Sequence, residues 1–176
     1  MSATESQYQQ LDAWIDAHFD EQVKFLQALV QVPTDTPPGN NAPHAERTAE
    51  LLQPMGFVAE KHTVPEADVK AYGLESITNL IVRRRYSENG EGKTIALNAH
   101  GDVVPPGEGW THPPYGGEIH NGAMFGRATA VSKCDFSTFT FATRALAPAV
   151  ERFGLDRADF TAVIAGMEMD AVEATS

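Results

Sequence analysis

Between Tyr8 and Val32 the apolar residues fall three and four apart: Tyr8, Leu11, Trp14, Ile15, Phe19, Val23, Leu26, Leu29 and Val30. That spacing predicts one amphipathic helix with a broad apolar face, stopped by Pro33. From Thr34 to Asn41 the chain reads TDTPPGNN, a turn-rich loop in which Pro37, Pro38 and Gly39 leave little choice. A second helix is expected after Asn41, a favoured N-cap residue, with Pro43 in the first turn where its missing N–H is tolerated. It runs through Ala49, Leu51 and Leu52 to a stop near Gly56, with Pro54 weakening its last turn. The pattern then becomes strand-like. Phe57 to Val64 reads as a strand, Glu66 to Ser76 as a polar connection, and Asn79 to Arg84 (NLIVRR) as a second strand. Thr94 to Asn98 is a third, with the look of a buried central strand; the Asn-Gly-containing turn from Ser87 to Gly92 predicts that the second and third form a hairpin. Phe136 to Leu146 reads as a helix packed through Phe136, Phe139, Ala142 and Leu146, and Asp159 to Ala165 as a last strand. This order predicts an α/β fold, a mixed sheet flanked by helices.

Composition narrows the picture. A chain of 176 residues suits one domain, and at that size roughly 70% of the unfolded surface can be buried. The net charge of -11 argues against nucleic acid or an anionic membrane as partner, since both reward basic patches. No apolar run is long enough to cross a membrane, and no basic segment followed by an apolar run marks a signal peptide. Cys134 is the one cysteine, which excludes an internal disulfide and a Cys-rich zinc ribbon. These features lead us to expect a cytoplasmic protein.

The chemistry concentrates after the third strand. His100-Gly101-Asp102 stands at that strand's C-terminal end, where open α/β sheets collect ligand sites. A histidine there can bind a metal through one ring nitrogen when a carboxylate or carbonyl holds the proton on the other, a job open to Asp102. Val103, Val104, Pro105 and Pro106 make a stiff exit. The chain then passes Gly107-Glu108-Gly109-Trp110, Pro113-Pro114-Tyr115-Gly116-Gly117 and Ile119-His120-Asn121-Gly122, whose Asn-Gly is a strong turn signal. Met124-Phe125-Gly126-Arg127 follows.

The runs HGDVVPPGEGW, PPY and HNGAMFGRATAVSK, with LVQVPTDTPPGNN and NLIVR upstream, closely resemble the di-zinc family of aminoacylases and acetylornithine deacetylases, with succinyl-diaminopimelate desuccinylase and carboxypeptidase G among its relatives. The resemblance covers roughly residues 23 to 147. It implies a zinc-peptidase-like catalytic domain of which residues 1–176 are the incomplete N-terminal portion, without the lid or dimerisation domain and the second half. It implies a hydrolase of amide bonds in N-acyl amino acids or small peptides, using two Zn2+ ions per site (Co2+ or Mn2+ as stand-ins) that activate a water. His100 would bind one zinc, Asp102 would orient it as a catalytic carboxylate, and the full-length form could be a homodimer.

Three departures qualify that reading. The family motif Gly-Arg-Gly-x-x-Asp-x-Lys reads here Gly126-Arg127-Ala128-Thr129-Ala130-Val131-Ser132-Lys133, so Val131, which cannot ligate a metal, takes the bridging position. The adjacent acidic pair that carries the general base is missing; Glu168, Asp170 and Glu173 read as tail charges. The chain also stops at Ser176, far short of its relatives. Asp135 is open between a replacement metal ligand and a helix cap with Ser132, and Lys133 between a family role and a solvated charge. His112 and His120 read as exposed loop residues, His18 and His44 as surface residues, and Cys134 as a small buried or half-buried side chain with no activating base. Arg127 is open between an ion pair beneath the site and substrate contact, while Trp110 and Tyr115 read as loop-packing aromatics. The resemblance thus implies a metal-dependent amidohydrolase, inactive as this short chain, against the alternative of a non-catalytic remnant or small-ligand module. A sheet lacking later strands is also expected to expose an edge and an apolar face.

Overall fold

The computed structural model describes residues 3–86, 93–153 and 160–166; the expected turn from Ser87 to Gly92 and the acidic residues Glu168, Asp170 and Glu173 lie outside them. The N-terminal apolar stripe folds as two helices, α1 (Ala3–Ala17) and α2 (Phe19–Val30), instead of one. The break is a side-chain effect. His18 Nδ1 lies 2.7 Å from the Trp14 carbonyl oxygen that a continuous helix would offer to the His18 backbone N–H. That N–H moves instead to Ile15 O at 3.0 Å, and the imidazole stacks on the Trp14 ring at 3.8 Å. A side-chain donor inserted into the i→i−4 ladder interrupts it. His18, read as a surface residue, is therefore half-buried at the break between the two helices.

Helix α3 (Ala42–Leu52) starts at Asn41 as expected, with Pro43 in its first turn, and gives way to a short 3-10 turn over Gln53–Met55 before Gly56. The capping reason differs. Asn41 makes no side-chain cap; Ala42 N–H donates to Ser76 Oγ at 3.1 Å, and the buried Asn41 amide points to Thr36 Oγ1. The segment expected to be a polar connection contains a short helix, α4 (Glu66–Ala71). Gly39, at φ +72° with Leu74 Cδ2 2.7 Å from where a Cβ would sit, lets the 34–41 loop pass close to residues 74–76. Gly39→Ala is expected to cost about 1–3 kcal/mol through strain and overlap, read as a lower urea midpoint with an unchanged slope.

The main sheet has the order β1 (Ala59–Thr63), β2 (Thr78–Arg85), β6 (Phe160–Gly166), β3 (Lys93–Ala99). A separate two-stranded sheet pairs β4 (Glu118–His120) with β5 (Ala123–Phe125). The β2–β3 hairpin does not form. Strand β6, the apolar run FTAVIAG, inserts between them, antiparallel to β2 and parallel to β3. A strand apolar along its whole length suits a place with a neighbour on each side. The correction extends to β3: among the described strands it is an edge, with Thr94, Ala96 and Asn98 exposed and Ile95 42% exposed. The mixed sheet expected from the sequence is present.

Helix α5 (Lys133–Phe153) closes the layer. Phe25 and Leu29 of α2, Leu52 of α3, and Phe136 and Phe141 of α5 meet Val82 of β2 and Ala99 of β3 in one core, with Phe57 beside them. On β2 the buried positions Thr78, Leu80 and Val82 alternate with half-buried ones, the period of a strand packed on one face. Arg144 ties α5 to the N-terminal helices: its guanidinium pairs with Glu21 at 2.9 Å and lies over the Phe141 and Trp14 rings. Among the described helices none is long and apolar enough to cross a membrane.

Candidate functional site

His100 follows the last residue of β3, and Ala99 pairs with Gly166 of the parallel strand β6, so the histidine sits at the carboxyl end of two strands running the same way. Its Nδ1 lies 3.1 Å from Asp102 Oδ1 and 3.1 Å from the Asp102 carbonyl oxygen, which leaves Nε2 as the ring atom available to a ligand. Both side chains are half-buried.

The loop holding them is stitched to the N-terminal third of the chain. Thr34 Oγ1 donates to Gly101 O at 2.6 Å, Val103 N–H to Thr34 O at 3.0 Å, and Thr36 N–H to Val103 O at 2.8 Å. The proline-rich loop is thus a strap across the segment that carries His100. Lys133, in the place read as a solvated charge, is fully buried, with Nζ 2.6 Å from Val32 O at the root of the strap. Arg127 donates from Nε to Val104 O at 2.9 Å, so it braces the exit of the same loop through backbone. Tyr115 packs near Asp35, and burial together with that carboxylate raises its phenol pKa. Trp110, 39% exposed, donates to Pro106 O at 2.8 Å within its own loop.

The remaining expected residues divide. Asp135 accepts a short hydrogen bond from Ser132 Oγ, and its N–H donates to Ser132 O at 2.9 Å. That is the local i, i+3 arrangement of a helix start. Together with His100 and Asp102 it does not make a three-ligand group. Val131 is 66% exposed, so the bridging position presents an isopropyl group to solvent. Cys134 is half-buried, and burial and the neighbouring Asp135 carboxylate raise its thiol pKa, the opposite of what a nucleophile needs. His44 is buried, against the surface position expected. These residues do not fit a dinuclear zinc centre. The strand tip offers one histidine hydrogen-bonded to one carboxylate, and no acid stands at position 131.

The structure does assemble a second group that the sequence reading set aside. His112 Nδ1 and His120 Nε2 converge on the same Glu118 oxygen, at 2.8 and 3.2 Å. Both hydrogen bonds, from His112 first, hold the Glu118 carboxyl below its usual range. Glu118 and His120 are two apart on β4 and so share one face of the strand. That alternation was available in the sequence; the return of His112 onto the same face was not.

No family model matches the chain. It is 32% identical, over 127 residues, to a succinyl-diaminopimelate desuccinylase of Hydrogenovibrio crunogenus, a match covering 70% of this chain and 29% of that protein. Among solved structures, human carnosine dipeptidase 1 superposes with a TM-score of 0.62 at 19% identity, over 99% of this chain and 36% of that one. The di-peptidase Dug1p from Saccharomyces cerevisiae gives 0.63 at 15% identity, over 92% of this chain and 34% of that one. The fold is zinc-peptidase-like, and the chain spans about a third of the length of these relatives.

Proposed function

This chain belongs to the metallopeptidase family of aminoacylases, acetylornithine deacetylases and succinyl-diaminopimelate desuccinylases, and on that premise we propose that it is the strand-tip segment of a metal-dependent amidohydrolase site. In this reading residues 1–176 form the first part of the catalytic domain, His100 supplies one metal ligand through Nε2, and Asp102 fixes the ring. The substrate class is small, an N-acyl amino acid or short peptide, and the setting is cytoplasmic. The observation that carries the reading is the His100–Asp102 pair, 3.1 Å apart, at the carboxyl end of β3. A carboxylate holding the Nδ1 proton fixes the tautomer and raises the basicity of Nε2.

The same residues limit what the polypeptide does by itself. A hydrolytic centre needs a metal held firmly enough to make a water nucleophilic, together with a group that takes its proton. Val131 supplies no bridging ligand, and Asp135 is engaged by Ser132. Val131 also favours a second reading, in which the fold persists as a non-catalytic module. Both readings lead to one expected result: with Zn2+ present, the 176-residue chain hydrolyses N-acetyl amino acids and dipeptides at the background rate. A rate above background that disappears with chelator and with His100→Ala would show that the chain completes its own centre and would overturn this limit.

A further inference from the structure

We propose that His112, Glu118 and His120 form a separate divalent transition-metal site, one that clasps the 105–117 loop onto the β4–β5 hairpin. One ligand atom from each of the three lies within 4.8 Å of the others, and no other such group of three occurs among the described residues. The geometry is built by elements that would not otherwise need these side chains. Asn121 and Gly122 both take positive φ, 51° and 77°, which is the backbone of a type I′ turn and sets the two-residue hairpin. Strand alternation then turns Ile119 and Met124 toward an apolar cleft of about 390 Å3 against α2 and α5. Glu118 and His120 face the other way, paired across the ladder with Phe125 and Ala123.

His112 arrives from the preceding loop and packs on Phe125, with ring centroids 4.2 Å apart. The chain between His112 and Glu118 is tied down by two glutamines of the N-terminal helical segment: Gln27 Nε2 donates to Gly117 O at 2.7 Å and Gln31 Nε2 to Gly116 O at 3.2 Å. The ring that would donate the first ligand nitrogen is therefore held by packing and by its backbone, ahead of any ion.

The distances suit a metal. In a tetrahedral zinc site with bonds near 2.0–2.1 Å, ligand atoms stand about 3.3 Å apart. The present 2.8 and 3.2 Å separations to Glu118 need to open by about half an ångström or less, and the two ring nitrogens lie within 4.8 Å of each other. Two imidazoles and a carboxylate suit Zn2+, with Ni2+ and Cu2+ as competitors and Mg2+ or Ca2+ as poor ones. The exposed side of the triad leaves a fourth position for water. Metal entry displaces the two N–H···O bonds, and the ring protons leave to solvent or to the second nitrogen of each ring.

The test is calorimetric titration of metal-free protein with ZnCl2, alongside the ring-nitrogen NMR signals of the histidines. Wild type and His100→Ala should bind one Zn2+ at this site with equal affinity and with shifts confined to His112 and His120. His112→Ala and His120→Ala should each weaken that event by more than about 100-fold, beyond what loss of an outer-sphere partner produces, while keeping wild-type circular dichroism. Glu118→Gln should weaken it less, since the amide oxygen still coordinates. Zinc should also raise the melting temperature of the wild type and leave that of His112→Ala unchanged. Binding that survives both histidine variants and vanishes in His100→Ala would overturn the proposal and assign the ion to the β3 tip. Absence of heat and of ring shifts in the wild type would overturn it too, leaving Glu118 as the acceptor of an ordinary ion pair and His100 unaffected.

Discussion

Acidification from pH 6.5 to pH 5 should remove about 1.6 kcal/mol of stability that a His44→Leu variant does not lose. His44 lies fully inside α3's packing face, edge-on to Phe136 with centroids 5.7 Å apart. Burial, and then the Lys133 charge, lower its pKa from 6.5 to about 3. Between those two values the unfolded chain takes up a proton that the folded chain refuses. Stability is therefore whole above pH 6.5 and falls as the pH drops below it, at up to about 1.4 kcal/mol per pH unit, until the folded-state value is reached. Carboxylates add their own loss at the acid end, but equally in both proteins, so the difference between wild type and variant isolates His44. Urea unfolding at three pH values measures it. Parallel curves would mean that the ring is protonated inside the fold or exposed to water.

Phe141→Ala should lower the unfolding free energy by about 3–5 kcal/mol, which is a large part of what a domain of this size has. Phe141 is 2% exposed. It meets Phe25 edge-to-face at 6.0 Å and carries the Arg144 guanidinium at 4.9 Å on its ring. Removing it empties the contact between α2 and α5 and takes away the surface on which the Arg144–Glu21 pair rests. A surface control such as Tyr72→Ala, at a half-exposed side chain, should change stability by less than about 0.5 kcal/mol. A loss of 1 kcal/mol or less in Phe141→Ala, from a denaturant midpoint at constant slope, would mean that the helices collapse onto the cavity.

Local signals carried the elements well. Pro43 marked the start of α3 and Gly56 the end of the 3-10 turn that follows it, Asn121-Gly122 marked a tight turn, and the apolar run after Asp159 marked β6. What periodicity could not carry was competition between partners. The stripe from Tyr8 to Val30 is continuous, yet His18 takes the Trp14 carbonyl for itself and splits the helix. Proximity along the chain suggested that β2 and β3 pair, but β6, some sixty residues further on, takes the place between them. Polarity misplaced His44 and Lys133, because a residue scale knows nothing of the Phe136 ring or the Val32 carbonyl that receive them. At the site, the pair His100 and Asp102 was legible because the two are adjacent on one strand tip. The triad was half legible: Glu118 and His120 share a strand face, while His112 reaches them only through a loop that Gln27 and Gln31 hold at Gly117 and Gly116.

The strap over the β3 tip has a consequence for when the histidine exists as a positioned group at all. Residues 101–103 take their backbone partners from Thr34 and Thr36, and the root of that strap is held by Lys133 at the start of α5. Peeling the strap away would release His100 while the ladder of β3 with β6 stayed paired. Hydrogen exchange at the amides of Thr36 and Val103 is therefore expected to report one shared opening, separate from the sheet's. Its free energy sets an upper bound on the fraction of time the imidazole is presented to anything that binds it.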